Sequence, residues 1–417
     1  MNRKIVTVVV LGLLLVSCVM TNQKFDAGSS DISFALRNPQ MQSVNMDSLI
    51  DIEQTNLSSV FKRVKTIILE TNKDALIGSI GSIQVFGDMI FIQDKNSYGG
   101  IFVFNKAGKF IRRIGKKGQG PGEYVQSIDF TIDKKNKLIY LLDLPSQNIL
   151  KYNLETGAYI DNIKLNERKS WTYYIQCVGN KLYSDARIST KGETSYLIQE
   201  IDVTTGDTEK KWLPTSIYNC NTQGTLKSIA GLNVFFDRTQ DSPKFIQSYM
   251  DTVITFNKKG VVPFMAIKSK DFITESDLLN LDKVTKEGIH MLPVMSILSV
   301  PKIYNVSGFM TYKNLMYYNC WKSSMVYEFI YNKTTGITSQ INRTDDFVCE
   351  KNKLLSSEFP RFFTSSDDGI YTVVRPSQMT KFVEIAKAGK LVKNLDKRDQ
   401  LMKLSVESNP VIFVYSN

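Results

Sequence analysis

Short runs of branched and aromatic residues alternate with turns rich in glycine, asparagine and lysine along most of this chain. Gly100–Asn105 and Lys109–Ile114 are typical, because both are too short for helices and are joined by a connection that ends in Gly108. Val125–Ile132 and Leu138–Leu142 repeat the pattern. Such runs, separated by turn residues, predict β-strands joined as hairpins. The pattern therefore predicts an all-β protein.

A turn signature recurs in the sequence after these strands. An Asn or Asp is followed, after two or three residues, by a glycine. It occurs at Asn105–Gly108, Asn153–Gly157, Asp202–Gly206, Asn257–Gly260 and Asn332–Gly336. Successive glycines are 49, 49, 54 and 76 residues apart. A period near 50 residues with about four short strands per period is typical of β-propeller blades. Five turns predict five blades.

A sixth blade can be assembled from the two ends of the chain. Arg361–Thr364, Gly369–Val374 and Pro410–Tyr415 supply three strands, and Val64–Leu69 would supply the fourth. Closing a ring with strands from both termini removes exposed sheet edges. We therefore predict a six-bladed β-propeller of four-stranded antiparallel blades over residues 44–417.

Two segments depart from the strand pattern and predict short helical insertions. Apolar residues have helical spacing at about 270–300, inside the 76-residue interval, and again at about 377–406. In the second segment Ala386–Gly389 also resembles a hairpin turn, and we favour one or two amphipathic helices. Insertions of this kind often lie over one face of a propeller, where ligands approach.

The N-terminus has the pattern of a processing signal. A basic start is followed by the apolar run Ile5–Val16 and then by Ser17 and Cys18. The run is too short to span a bilayer, and a small residue before cysteine resembles a bacterial lipobox. We predict that residues 1–17 are a lipoprotein signal peptide and that Cys18 carries the lipid; the alternative is an ordinary signal peptide with an incidental cysteine. The polar residues 18–43 predict a flexible tether.

The formal charge of the chain is +11, and removal of Arg3 and Lys4 with the signal leaves +9. Nucleic-acid binding is not expected, because an exported protein rarely meets nucleic acid and the lysines are dispersed over turns. Attraction to an anionic membrane or polysaccharide stays open.

The cysteines beyond Cys18 predict no particular disulfide framework. Cys177, Cys220, Cys320 and Cys349 allow three pairings, and spacing selects none. In a large domain such residues are more often buried small apolar side chains.

One glycine-rich stretch, Gly115-Lys-Lys-Gly-Gln-Gly-Pro-Gly-Glu-Tyr124, stands between two strand-rich segments. A phosphate-binding loop would run into a helix, whereas this stretch runs into a strand, so a crossover between blades is expected. Together with Phe130–Asp133, Val64–Thr71 and Asn409–Val414, the stretch resembles the six-bladed β-propeller lipoproteins of Bacteroidetes, which are related to NHL and TolB-like propellers. That resemblance implies the fold, export and lipidation, and it implies no reaction.

Candidate catalytic chemistry is sparse. His290 is the single histidine, which argues against a histidine-based zinc site or a serine–histidine–aspartate triad. Acidic residues could act as paired carboxylates or bind calcium, although most of them lie at strand ends, where aspartate caps turns. These residues are Asp94, Glu123, Asp129, Asp133 and Asp143. We predict no catalytic set, no metal and no cofactor.

Aromatic residues with basic neighbours give the remaining signal, because aromatic faces stack on sugars or pack in protein interfaces. The residues of this type are Tyr124, Trp171, Tyr173, Trp321 and Lys322, with Arg112 and Arg113 as possible partners of carboxylates. Packing inside blades is the alternative for most of them. We predict Arg113, Glu123, Tyr124 and Trp321 as ligand-binding residues, with Trp321 in a loop over Asn319–Ser324.

The sequence therefore predicts an exported propeller, lipid-anchored to a bacterial membrane, expected to be the outer membrane, through Cys18. It would act as a binding or scaffold module for a glycan or protein partner, with the ligand at the channel mouth or under the insertion. The alternative is a carbohydrate-active hydrolase or lyase that uses Asp or Glu with Arg or Tyr at the channel mouth. The sequence leaves open which side of the membrane the propeller faces.

Overall fold

A computed structural model describes most of the chain. The described ranges are 42–95, 99–166, 172–186, 195–215, 234–238, 241–257, 260–274, 276–277, 300–342, 347–349 and 362–417. The predicted signal peptide, Cys18, most of the tether, Trp171, Cys220, His290 and most of the 270–300 insertion lie outside these ranges.

Six antiparallel sheets of four core strands follow one another along the chain, as predicted. The described chain begins with three strands, β1 (Gln42–Asn45), β2 (Gln54–Thr55) and β3 (Arg63–Ile68). Blade 1 contains β4 (Ile80–Phe86), β5 (Met89–Asp94), β6 (Gly100–Asn105) and β7 (Phe110–Ile114). Two short strands, β8 (Lys116–Lys117) and β9 (Glu123–Tyr124), lie in the crossover that follows. Blade 2 contains β10 (Ser127–Asp133), β11 (Leu138–Asp143), β12 (Asn148–Asn153) and β13 (Tyr159–Lys164). Blade 3 contains β14 (Ile175–Val178), β15 (Lys181–Asp185), β16 (Ser195–Ile201) and β17 (Thr208–Thr215).

The remaining blades follow the same order. Blade 4 contains β18 (Phe235–Phe236), β19 (Lys244–Phe245), β20 (Thr252–Asn257) and β21 (Gly260–Lys268). Blade 5 contains β22 (Ile303–Tyr312), β23 (Leu315–Lys322), β24 (Met325–Asn332) and β25 (Ile337–Ile341). Blade 6 contains β26 (Thr364–Ser366), β27 (Gly369–Val374), β28 (Val411–Ser416) and β3. The first strands of neighbouring blades contact each other and form the wall around the axis.

The ring closes between its two ends, as the sequence predicts. β3 pairs with β28 in antiparallel register, from Arg63 opposite Ser416 to Ile68 opposite Val411. Blade 6 therefore takes its outermost strand from the N-terminal part of the chain and the other three from the C-terminal part.

The segment before β3 forms an N-terminal strap, residues 42–61, that was not predicted. β1 pairs in parallel with β21, the outermost core strand of blade 4, and β2 pairs in parallel with β25 of blade 5. Leu57 and Phe61 then fill the core next to blade 6. The strap thus covers the outer edges of two blades before the chain closes the third.

The Asn/Asp–Gly turns connect the third and fourth strands of blades 1 to 5. In blade 2, Asn153 Oδ1 accepts hydrogen bonds from the backbone N–H of Glu155 (2.9 Å) and Thr156 (2.8 Å). Gly206, in the equivalent turn of blade 3, has φ +78°, and a Cβ there would overlap the carbonyl oxygen of Lys164 in β13. The turn of blade 3 thus packs directly on the outermost strand of blade 2.

The two faces of the ring differ in their connections. Turns join strands 1 and 2 of every blade and strands 3 and 4 of blades 1 to 5, and they lie on one face, which we call the tight-turn face. The connections from strand 2 to 3 and from one blade to the next lie on the other, the long-connection face. They include residues 69–79, 115–126 and 375–410, together with the described ends, 269–274 and 300–302, of the connection between blades 4 and 5.

A helical insert, residues 375–410, joins β27 to β28 in blade 6. It contains a 3-10 turn and two helices, α1 (Met379–Lys387) and α2 (Arg398–Leu401). Gly389 follows α1 with φ +71° and ends the helical stretch instead of closing a hairpin. Asp396 Oδ2 accepts the N–H of Thr66 at 2.8 Å, so the insert also covers the edge of β3. No helix in the described ranges combines the length and apolar character that a membrane crossing requires.

Asn409 holds the end of this insert against the connection between blades 6 and 1. Its Oδ1 accepts the N–H of Ile77 at 2.9 Å, and its Nδ2 donates to the carbonyl oxygens of Glu70 (2.7 Å) and Ala75. Its own N–H donates to Thr71 Oγ1 at 2.8 Å. Burial of a fully bonded amide fixes the path of both segments.

The described cysteines are small buried side chains. Cys177, Cys320 and Cys349 are all buried. Burial raises the pKa of the Cys320 thiol to about 12 and raises that of Cys177 further, so both remain protonated at neutral pH.

Candidate ligand-binding site

A buried ion pair crosses the axis of the ring. Arg238, which follows β18 of blade 4, contacts Asp129 of blade 2 through two hydrogen bonds of 2.7 and 3.0 Å. The same guanidinium donates to the carbonyl oxygens of Phe130 (2.7 Å) and Ile175 (2.5 Å). It also donates to Gln176 Oε1 at 3.0 Å. Arg238 therefore joins the inner strands of three blades.

Asp237, the residue before Arg238, connects blade 4 to the next two blades of the ring, blades 5 and 6. The carboxylate accepts hydrogen bonds from the N–H (2.6 Å) and hydroxyl (2.9 Å) of Thr311 in blade 5 and from the hydroxyl of Ser365 (3.2 Å) in blade 6. Burial raises the pKa of Asp237, and the nearby ammonium of Lys244 partly offsets this. Asp237 and Arg238 together link five blades, so their role is to hold the ring together.

Most of the candidate carboxylates are bonded to backbone. The last residue of the second strand in blades 1, 2 and 3 is an aspartate that accepts N–H groups from the segment entering the same blade. Asp94 accepts Ser79 N (2.8 Å), Asp143 accepts Val125 N (3.1 Å) and Gln126 N (2.8 Å), and Asp185 accepts Tyr173 N and Tyr174 N (both 2.7 Å). Asp133 accepts the N–H and amide of Asn136 in a turn. These aspartates cap and align strands.

Glu123 folds the glycine-rich crossover onto itself. Its carboxylate pairs with Lys116 at 2.8 Å and accepts the N–H of Gly120 at 2.9 Å. The Lys116 ammonium and this N–H lower the pKa of Glu123. β8 and β9 pair in parallel across the base of the loop.

Tyr124 lies under the same crossover. Its ring is buried against Gly99, Gly100 and Gly115, and its hydroxyl lies beside Arg113. Burial raises the pKa of Tyr124, while the neighbouring guanidinium of Arg113 acts in the opposite direction. Arg113, Glu123 and Tyr124 are therefore brought together at the junction of blades 1 and 2.

Trp321 lies elsewhere, on blade 5, and the expected loop is wrong in part. Asn319–Lys322 forms the end of β23, and only Ser323 and Ser324 make the turn to β24. Blade 6 separates this position from the blade 1–2 junction on one side, and blades 3 and 4 separate it on the other. Trp321 therefore defines a site of its own.

Strand register places four polar side chains on the same face of blade 5 as Trp321. Asn305 pairs with Trp321, Ser307 pairs with Asn319, and Asn319 pairs with Glu328. Tyr317, two residues before Asn319, lies on this face and packs on Phe362 at the start of blade 6, with ring centroids 4.8 Å apart. We call Asn305, Ser307, Asn319, Trp321 and Glu328 the polar notch.

Hydrogen bonds fix the orientation of the notch. Asn319 Oδ1 accepts from Ser307 Oγ (2.8 Å) and from Trp321 Nε1 (3.2 Å). Glu328 Oε1 accepts from Tyr317 Oη at 3.1 Å. Among the described residues, Asn319 Nδ2 donates no hydrogen bond, and both Asn319 and Trp321 are only half-buried. The notch thus offers an oriented amide donor beside an aromatic ring.

The foot of the 270–300 insertion lies next to the notch. Lys322 Nζ pairs with Asp271 Oδ2 at 2.6 Å, and this contact raises the pKa of Lys322. Backbone hydrogen bonds of 2.8 Å join Ile303 to both Asp271 and Ile273. The strand end that carries Trp321 is therefore tied to the start of the insertion. In the described ranges, no three His, Cys, Asp or Glu side chains are grouped so that they could hold a metal ion.

Comparisons with known proteins agree with this architecture. A family model described as a domain of unknown function, DUF4934, matches residues 41–416. The crystal structure of a candidate exported protein from Bacteroides fragilis NCTC 9343 is similar over 87% of this chain and 97% of that chain, with 17% sequence identity and a TM-score of 0.68. A member of the DUF4221 family from Bacteroides vulgatus ATCC 8482 covers 85% of this chain and 96% of its own, with 10% identity and a TM-score of 0.49. No curated protein matches the sequence.

Proposed function

The chain belongs to the DUF4934 family, and from that premise and the geometry of the polar notch we propose that it is a glycan-binding module of the bacterial cell envelope. The ligand contacts the long-connection face of blade 5, beside the insertion. A relation to NHL and TolB-like propellers is part of this proposal.

The observation that carries the proposal is the half-buried Trp321 ring beside the fixed amide of Asn319. Sugar rings present apolar C–H faces that stack on aromatic side chains, and hydroxyl groups that need oriented donors and acceptors. The notch supplies an aromatic face in Trp321 and an oriented donor in the Asn319 amide. Because Ser307 and Trp321 hold Asn319 in place, little side-chain entropy is lost when a ligand binds.

We expect Trp321→Ala to weaken glycan binding by roughly tenfold or more, because it removes the stacking surface. The measurement is a calorimetric titration with the envelope glycan that gives the largest thermal shift in a screen of the wild-type protein. Tyr327→Ala is the matched control, since Tyr327 is an aromatic residue of the adjacent strand on the opposite face of the same blade. Equal affinities of wild type and Trp321→Ala would contradict the proposed site.

We also propose that the protein is exported and held at the outer membrane by lipid on Cys18. The N-terminal sequence pattern supports this, and so does the similarity to a candidate exported protein. Cys18→Ser is expected to move the protein from the membrane fraction to the soluble fraction of the native host. Mass spectrometry of the wild-type N-terminal peptide should show an acylated Cys18, and an unmodified Cys18 would contradict the anchor.

The alternative, a hydrolase or lyase at the channel mouth, has less support. Among the described residues, Asp129 is paired with Arg238, while Asp94 and Asp143 bind backbone N–H groups. Carboxylates that are bonded in this way are poorly placed to act as a general acid and base on a substrate.

A further inference from the structure

The helical insert of blade 6 and the outermost strand of that blade, β3, carry exposed lysines. Asp396 binds the N–H of Thr66 at 2.8 Å, which brings the helical insert against β3. The exposed lysines of this region are Lys65, Lys387, Lys390, Lys393 and Lys403. We call these five residues the basic rim.

The charge of the basic rim is not neutralised locally. Within the described residues, none of its lysines has a carboxylate within ion-pair distance. Glu384 pairs instead with Lys381 at 3.8 Å, and Asp396 is engaged by β3. Asp399 and Glu407 are exposed acids of the insert, so the segment keeps an excess of positive charge.

Two large aliphatic side chains are exposed at and next to the C-terminal end of the insert. Val406 is 54% exposed and Leu76 is 44% exposed. Leu76 stands between Ala75 and Ile77, both of which are hydrogen-bonded to the Asn409 side chain, three residues after Val406. Peripheral membrane proteins commonly present exposed aliphatic side chains together with lysines to a lipid surface. The aliphatic groups enter the headgroup layer, and the lysines are attracted to anionic lipids.

We propose that the basic rim and its two aliphatic residues form a contact surface for an anionic lipid bilayer. This contact does not depend on the glycan site. It would act together with the lipid proposed on Cys18, because stable attachment generally takes two signals. All of these residues except Lys65 lie in connections of the long-connection face, so the ring would meet the bilayer by the part of that face that belongs to blade 6 and its junction with blade 1.

The test uses the mature chain with Cys18→Ser, so that no lipid anchor is present, and vesicles of phosphatidylcholine with or without phosphatidylglycerol. Binding to the anionic vesicles is expected, with weak binding to the neutral ones and a fall in binding as salt is raised. The triple variant Lys387→Glu, Lys390→Glu, Lys393→Glu should reduce vesicle partitioning by roughly tenfold or more. Val406→Ser should reduce it a few-fold and leave its salt dependence unchanged.

The control is Lys134→Glu, Lys135→Glu, Lys137→Glu, which makes the same charge change on the tight-turn face of blade 2 and should leave partitioning close to that of wild type. Melting temperatures of all variants establish that the ring is intact. Equal loss in both triple variants would overturn the proposal, because it would reflect net charge alone. Binding to a soluble acidic polysaccharide without binding to anionic vesicles would also overturn it and make the rim a polysaccharide surface.

Discussion

Replacing Arg238 by methionine is expected to lower the free energy of unfolding by about 3–5 kcal/mol, the range found when one partner of a buried ion pair is removed. The guanidinium is buried and donates to Asp129 and to the carbonyl oxygens of Phe130 and Ile175. Its removal leaves a buried carboxylate without its counter-charge and takes one donor from each of two carbonyl groups, at the place where three blades meet. Chemical denaturation of wild type and variant measures the difference.

Two further variants separate the buried pair from charge effects in general. Asp129→Leu combined with Arg238→Met should recover part of the loss, because the buried charge is then absent. Asp241→Ala breaks the exposed pair with Lys134 (3.5 Å), in which Asp241 is 99% exposed, and should change stability by less than about 0.5 kcal/mol. A loss below about 1 kcal/mol for Arg238→Met would contradict the central role of this pair.

Gly206→Ala is expected to destabilise the protein by about 3 kcal/mol, because two costs combine. The residue has φ +78°, which is strained for any side chain with a Cβ. The new methyl group would also overlap the carbonyl oxygen of Lys164, which belongs to backbone and can move only if blades 2 and 3 separate. Thermal and chemical unfolding should both report the loss.

Gly336→Ala supplies the matched comparison. Gly336 occupies the same turn position in blade 5 with φ +70°, and no atom lies within 4 Å of the position that its Cβ would take. This variant carries the backbone strain alone and should cost about 1 kcal/mol. If the two variants were equally destabilised, close packing of the turn on the preceding blade would not matter, and our account of how neighbouring blades fit together would be wrong.

The blade repeat could be predicted because its signals are local. An Asn or Asp and a glycine within five residues define each turn, and the strands on either side are short enough to be recognised by composition alone. The closing strand of blade 6 was predictable for a different reason, since a ring with one incomplete blade needs a strand from the other end of the chain. The acidic residues at strand ends were correctly suspected of capping, as the contacts of Asp94 and Asp143 show.

The N-terminal strap and the axial pair could not be predicted in this way. β1 and β2 contain four and two residues and have no apolar alternation, so their pairing depends on edges that lie more than 200 positions further along the chain. Asp129 and Arg238 are 109 positions apart, and no motif marks either of them.

The polar notch was predicted only through Trp321. Its tryptophan stands out by composition, whereas Asn319 and Glu328 become its neighbours only through the register of β23 with β24. The alternation of Tyr317, Asn319 and Trp321 was the signal available in the sequence, because alternate residues of a strand share a face. It was missed because this stretch was assigned to a loop.

The pairing of β3 with β28 also determines when this protein can finish folding. Arg63 and Ser416 are hydrogen-bonded partners separated by 353 positions, so β3 has no partner until almost the whole chain has been synthesised. Contacts between such distant positions slow folding, and the unpaired edges are open to aggregation in the meantime. If residues 1–17 direct export, the ring can close only after the last strand has crossed the membrane.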